Sequence, residues 1–437
     1  MDGQGNLRHP VRRDLPVAGS ACDRIMPVWQ GAFSLRRAVS IFPSPGRREM
    51  RIDRIRMDGM KDLAESRRRI DEIDARIAEL YEERLAISGD VAEYKIANHR
   101  PVLDKRREEE KLTRLEAMTD DAFLRQGVRE LFEQIMSVSR KKQYRLLAEH
   151  GMSEDLGFYE IEDYDFPSAR VVYQGVRGAY SQAACKAFFR EGCASMEPVE
   201  TWRDAMEAIS NGEADYAVLP VENSTAGIVT ENYDLMMEYQ AVIVGEQIIR
   251  IDHALLGLPG AKISDIRRVY SHPQALAQCE GYLRNIHPDF EAYSLKNTAM
   301  AAKKVMEDKD PSQAAIAGSI NAQIYGLVVL DQAIQDIKGN ETRFIVVSPK
   351  REYTSGAKNV SIAFSLPNES GSLYRVLSHF IFNGLSMTRI ESRPLRGKKW
   401  EYTFFIDFEG NLREEAVMNC LQGLKEETEE MFILGTF

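Results

Sequence analysis

Three regions of this chain space their apolar residues in three different ways. Between residues 61 and 98 no Pro interrupts, and Ile70, Ile73, Ile77, Leu80, Ile87 and Val91 recur on a heptad-like stripe; that predicts one long helix. Pro101, in "NHRPVLD", forbids its continuation. A second helix is expected from Asp104 and a third over residues 121–150, where Val128, Phe132, Ile135 and Leu146 share a stripe. From residue 170 short apolar runs that suit buried strands alternate with helical spacing, as in α/β units. From residue 359 the order is strand, helix, strand, strand, helix, strand.

Composition adds bounds. At 437 residues and 44% hydrophobic the chain suits several domains with proper cores. It has no run of 18 apolar residues and no charged-then-apolar leader, so neither a membrane span nor a secretory signal is expected. Cys22, Cys185, Cys193, Cys279 and Cys420 form no C-x-x-C pair and no cluster with His, which argues against a metal site or a disulfide scaffold and for a reducing, cytoplasmic setting. Residues 1–56 carry eleven Arg, no Lys and five acids, so the net −10 divides into +6 there and −16 elsewhere. That head is open to reading as a nucleic-acid arm, a transit segment, or a translated stretch ahead of Met50, Met57 or Met60. Its Pro, Gly and Arg content predicts disorder over residues 1–57, with no chemistry and no nucleic-acid partner.

Polar residues interrupt the helical stripes. Arg84 takes the seat after Leu80, and Lys95, eleven residues on, falls about 20° away at 100° per residue. Asp104, Arg107 and Glu108 stand at i, i+3 and i+4, and Ser139 and Gln143 are set into the third stripe. Cations, amide and hydroxyl donors and a carboxylate suit a small dianion bearing a hydroxyl. With Arg67 included, this set resembles the all-helical chorismate mutase family in order and spacing. The resemblance implies the Claisen rearrangement of chorismate to prephenate. That reaction needs a compact conformer and positive charge at the breaking ether oxygen, but no nucleophile, metal or cofactor. It further implies Lys95 and Gln143 as donors to that oxygen, Arg67, Arg84, Arg107 and Ser139 as carboxylate holders, and Glu108 with Asp104 on the hydroxyl side. Arg67 lies 17 residues before Arg84, about 25 Å along a helix and about 100° around it. One small ligand meets both only if Arg67 comes from a second chain, so an intertwined homodimer or higher homo-oligomer is expected.

The α/β region places polar bursts at strand ends, where open sheets bind ligands. "RVVYQGVRGAYSQAACKAFF" reads as strand, turn and helix, with Tyr180 and Ser181 at a helix start that favours an anion. Its G-x-x-G lacks the dinucleotide fingerprint. "ADYAVLPVENSTAGIV" ends a buried strand in Glu222, Asn223, Ser224 and Thr225; "VYSHPQALAQC" sets Ser271 and Gln278 after another; "KGNETRFIVVS" puts Thr342, Arg343 and Phe344 at the entrance of a third. Together these resemble the prephenate dehydratase family, which carries G-x-x-G-x-Y-S, P-x-E-N-S, Y-S-H-P-Q and T-R-F elements in this order. The resemblance implies a two-lobed, periplasmic-binding-protein-like fold, with the chain crossing near residues 250–253 and again at 342–346. It implies decarboxylation of prephenate with loss of its ring hydroxyl, Thr342 as the donor to that hydroxyl, and Glu222, Asn223, Ser224, Ser271, Gln278, Arg343 and Phe344 around the substrate.

The βαββαβ order of the last region is that of a ferredoxin-like unit. "ESGSLYRVL" and "ESRP" resemble the two signatures of ACT-type regulatory domains. They imply phenylalanine as effector, bound between chains by Gly371, Ser372, Leu373, Glu391, Ser392, Arg393 and Pro394. Ser372 stands where the family more often has Ala. The expected organisation is a disordered extension over 1–57, a mutase domain over 58–150, a linker over 151–169, a dehydratase domain over 170–350 and a regulatory domain over 357–437. A non-catalytic sensor built on the two lobes, a fusion to prephenate dehydrogenase, and a dehydratase acting on arogenate are the rival readings. The three polar constellations argue against the first, the missing dinucleotide loop argues against the second, and the third stays open.

Overall fold

The computed structural model describes residues 63–152, 155–190, 192–394 and 401–437, so the Arg-rich head lies outside the described residues. The chain divides into two compact units, residues 1–79 and 80–437. The described part of the first is the opening of helix α1 (Leu63–Ala97), where Leu63, Ile70, Ile73 and Ile77 are exposed. Leu80, Ile87 and Val91, the continuation of that stripe in the second unit, are exposed as well. A heptad seam calls for another helix to cover it, and among the described residues none covers this stripe.

In the second unit Asp104 caps α2 (Lys105–Glu116), accepting from Arg107 N at 3.0 Å, and Asp121 caps α3 (Ala122–Glu149), accepting from Leu124 N at 2.8 Å. Helix α3 buries Met136 and Tyr144 together with Ser137, Ser139, Arg140, Lys141 and Gln143. So many buried polar groups on one helix need partners or a ligand.

The α/β part has two lobes. It begins with β1 (Tyr159–Ile161), which pairs in parallel with β13 (Glu352–Thr354). The first lobe continues with β2 (Arg170–Gln174), α4 (Tyr180–Phe188), β3 (Ser195–Val199), α5 (Trp202–Ser210), β4 (Tyr216–Asn223), β5 (Gly227–Ile228), α6 (Thr230–Tyr239) and β6 (Val242–Arg250). The chain then crosses at 251–253, where the sequence places the first crossing, into β7 (Ala254–Gly257), β8 (Arg268–Ser271), α7 (Pro273–Gln278), β9 (Glu291–Ser294), α8 (Thr298–Asp308), β10 (Gln313–Ala317), α9 (Ile320–Tyr325) and β11 (Val328–Gln332). These five strands form a separate sheet ordered β11-β7-β10-β8-β9. The return crossing occupies residues 333–340, slightly earlier than 342–346, because β12 (Glu341–Ser348) already pairs between β6 and β4 from its first residues. Thr342 is therefore the second residue of a central strand. Phe344, Ile345, Val346 and Val347 are buried, as their apolar run requires.

The last stretch is β14 (Asn359–Leu366), α10 (Ser372–Phe382), β15 (Met387–Pro394), β16 (Tyr402–Glu409), α11 (Glu415–Glu427) and β17 (Glu430–Thr436), with strand order β15-β16-β14-β17. β17 meets β6 in a single parallel pair, Gly435 with Ile243, which joins this sheet to that of the first lobe. A Cβ on Gly435 would lie 2.2 Å from Ile243 O, so the junction requires glycine.

Candidate active sites

A cavity of about 300 Å³ lies among α1, α2 and α3, lined by Arg84, Lys95, Asp104, Arg107, Glu108, Ser139 and Gln143. Seven of the eight polar residues singled out in the helical region thus converge. The eighth, Arg67, belongs to the first unit and is exposed. Arg84 donates to Ser139 Oγ at 2.6 Å, and Lys95 Nζ donates to Val102 O at 2.5 Å, which leaves two of its three hydrogens. Gln143 Nε2 donates to Ser139 O at 3.3 Å within the helix, while its Oε1 is buried without a partner. Burial holds Arg84 below its ordinary pKa. Lys95 is lowered too, burial outweighing the pull of Glu108.

Lys111 and Arg140 also line this cavity, and sequence reasoning passed over both. Lys111 follows Arg107 by four residues and Glu108 by three, and Arg140 precedes Gln143 by three; that spacing was the available signal. Lys111 is lowered by burial, then by Arg84 and Arg107 beside it. Arg140 donates to Glu108 Oε2 and to Glu427 Oε1 on α11, both at 2.6 Å. Five cations against the carboxylates of Asp104 and Glu108 leave the wall short of negative charge, and a small dianion would supply it.

A second cavity of about 350 Å³ opens between the two lobes, lined by Asn223, Gln278 and Thr342 and also by Tyr180, Ser181, His253, His272, Lys296 and Thr298. The direction of its hydrogen bonds is fixed by the backbone. Thr225 N and Ala226 N donate to Asn223 Oδ1 at 3.1 and 3.0 Å, so the Asn223 amide nitrogen must face the other way. That Nδ2 donates to Thr342 Oγ1 at 2.9 Å and to Asn340 Oδ1 at 2.8 Å. With Thr342 Oγ1 already accepting, its own hydrogen is available to a ligand. Gln278 Nε2 extends the chain by donating to Thr225 Oγ1 at 2.7 Å, and His253 Nε2 lies 2.9 Å from Gln278 Oε1. Burial pushes the His253 imidazole below its ordinary value, so the neutral ring donates through Nε2. Thr225 closes the polar burst read at the end of β4; His253 and Asn340 were not among the sequence candidates, and only their nearness to the crossings pointed to them.

Other sequence candidates stand elsewhere. Ser271 is fully buried and donates to Ile316 O at 2.6 Å, holding β8 to β10. Ser224 Oγ accepts from Glu341 N at 2.9 Å and is outside the cleft lining. Arg343 and Phe344 are not brought to the cleft. Phe344 packs in the first-lobe core, and Arg343 donates to Glu246 and Asp407. Glu222 lies 3.7 Å from Arg389. Strand alternation accounts for this: with Asn223 and Thr342 facing the cleft, Glu222 and Arg343 face the opposite side. In the last stretch Gly371 caps α10 at φ 82°, Ser372 donates to Glu369 O at 3.0 Å and Leu373 is half-buried. On β15 Ser392 and Pro394 are exposed, whereas Glu391 and Arg393 are half-buried, Arg393 against Asp234.

Among the described residues no group of His, Cys, Asp and Glu could hold a metal ion, and no helix is long and apolar enough to cross a membrane. Comparison with known proteins matches residues 66–144 to the chorismate mutase type II family and residues 171–352 to the prephenate dehydratase family. A bifunctional chorismate mutase/prephenate dehydratase of Aquifex aeolicus is 31% identical over 382 residues, covering 86% of this chain and 98% of that protein. Arogenate dehydratase 5 of Arabidopsis thaliana is 39% identical over 286 residues, 61% of this chain and 67% of the relative. Among solved structures, prephenate dehydratase of Arthrobacter aurescens in complex with L-Phe aligns with TM-score 0.55 at 31% identity, covering 61% of this chain and 89% of that one.

Proposed function

The chain belongs to the bifunctional chorismate mutase/prephenate dehydratase family, and from that premise we propose that its two cavities carry out the two reactions in turn. The observation that carries this reading is that each matched segment holds its own cavity, with the donors its chemistry needs.

In the helical cavity the free hydrogens of Lys95 and Gln143 meet the chorismate ether oxygen as its bond breaks and charge builds there. Arg84, Arg107 and Ser139 hold carboxylates, and Glu108 with Asp104 orients the hydroxyl side. In the cleft Thr342 donates to the departing ring hydroxyl of prephenate. The ring carboxylate leaves as carbon dioxide, its electrons enter the ring, hydroxide departs as water with one added proton, and phenylpyruvate remains. Lys296 and the N-terminus of α4 suit the substrate's negative charge. Residues 58–150, 170–350 and 357–437 form the mutase, dehydratase and regulatory domains of a cytoplasmic enzyme. The last is a ferredoxin-like ACT unit that binds phenylalanine as feedback inhibitor near Gly371 and Ser392.

The similarity to an arogenate dehydratase supports a second reading, in which the cleft prefers arogenate. The test is kcat/KM of the purified protein on each compound. A higher value for prephenate upholds the first reading, and a higher value for arogenate replaces it.

The exposed stripe on α1 supports an intertwined homodimer in which Arg67 of one chain serves the mutase cavity of the other. Arg67→Ala and Lys95→Ala variants should each lack mutase activity. Refolded together, they should recover about a quarter of the wild-type sites, because half the dimers are mixed and each has one intact site. No recovery would place Arg67 outside the site or in its own chain.

A further inference from the structure

Side chains alternate along a strand, so the neighbours of the two cleft residues face away from it. In the β12–β4 pairing Thr342 lies opposite Asn223 and Arg343 opposite Glu222, just before an irregularity between Arg343 and Phe344. On the far side the last sheet takes hold of both neighbours. Arg343 Nη1 donates to Asp407 Oδ2 at 2.8 Å, and its Nε donates to Glu246 Oε2 at 2.7 Å. Asp407 is 4% exposed, accepts from Ser361 Oγ at 2.6 Å and lies 3.6 Å from Arg389 Nη1. Arg389, its cross-strand partner on β15, is 3.7 Å from Glu222 Oε2. The ion cluster Glu222, Arg389, Asp407, Arg343 therefore leaves β4, passes through β15 and β16, and returns to β12 one residue from Thr342.

Strand β15 has two faces. Arg389 and Arg393 grip α6, donating to Tyr233 Oη, to Asp234 and, at 2.9 Å, to Thr230 O. Ile390, Ser392 and Pro394 on the other face are exposed. A ligand on the exposed face therefore bears on the strand whose inner face holds the cluster.

We propose that this cluster positions Thr342 and Asn223 for the dehydratase reaction, and that β15 passes effector occupancy to the cleft through it; the second clause rests on reading the last domain as a phenylalanine sensor. Arg343, Glu222, Arg389 and Asp407 are positioning residues and touch no substrate. Removing one member of a buried ion pair leaves its partner uncompensated, so a defect at either end spreads through the cluster.

The test is a double-mutant cycle in the full-length protein with saturating prephenate: wild type, Arg343→Ala, Asp407→Ala and both together. Mutase turnover of each preparation checks that the chain is folded. Each single change is expected to lower dehydratase kcat about tenfold and to move KM less, with the double variant little worse than either single. Asp407→Asn, a milder variant, is expected to bind phenylalanine by calorimetry yet to be inhibited about tenfold less at saturation. Losses that multiply in the double variant, or mutase and dehydratase falling together, would make the cluster merely structural and overturn the positioning role. Phenylalanine that inhibits Asp407→Asn as fully as wild type would overturn the coupling. Failure of phenylalanine to bind the wild type would overturn the sensor reading itself, and the cycle would still decide the positioning role.

Discussion

Thr342→Ala is expected to abolish phenylpyruvate formation while chorismate is still converted to prephenate, so that prephenate accumulates. Asn223 Nδ2 occupies the acceptor side of Thr342 Oγ1 and leaves its hydrogen for the departing hydroxyl. Losing such a donor costs about 100- to 1000-fold in turnover, or about 3–4 kcal/mol of transition-state stabilisation. The fold should lose less, about 1 kcal/mol, because Asn223 Nδ2 keeps Asn340 Oδ1 and Glu341 O as acceptors. Thr342→Ser, which keeps the hydroxyl, should retain much of the activity. Full dehydratase turnover by Thr342→Ala, followed as phenylpyruvate absorbance, would remove Thr342 from the mechanism.

Lys95→Ala and Gln143→Ala should produce the opposite pattern: mutase turnover falls about 1000-fold, and supplied prephenate is still converted at the wild-type rate. The pH dependence carries a further sign. Lys95 must be protonated to donate, and burial lowers it from 10.5, so mutase kcat/KM should fall as pH rises through a value below 10.5. Below that limb the ammonium is intact and activity is retained. An alkaline limb at or above 10.5 would mean that another group sets it.

Much of this arrangement was legible because catalytic polar residues break apolar patterns. Arg84 and Lys95 interrupt the α1 stripe and Ser139 and Gln143 interrupt that of α3, and all four line one cavity. The strand ends at Asn223 and Thr342 stood out for the same reason. What stayed hidden depends on direction and on long-range contact. Arg343 and Phe344 adjoin Thr342 in sequence, yet a period of two sends Arg343 to Asp407, which lies 64 residues away, and Phe344, back on the Thr342 face but two residues further along β12, packs in the first-lobe core. Arg140 was passed over in the sequence, because only the fold brings Glu427 of α11 to it. His253 lies in a crossing with no local pattern, and only the fold sets it beside Gln278.

The central claim is that one chain performs both reactions without added cofactor, and a time course with chorismate as sole substrate tests it most directly. Prephenate rising first and phenylpyruvate following, with saturating phenylalanine suppressing the second, is the expected result. Prephenate that accumulates without any phenylpyruvate, or chorismate left unconverted, would contradict it.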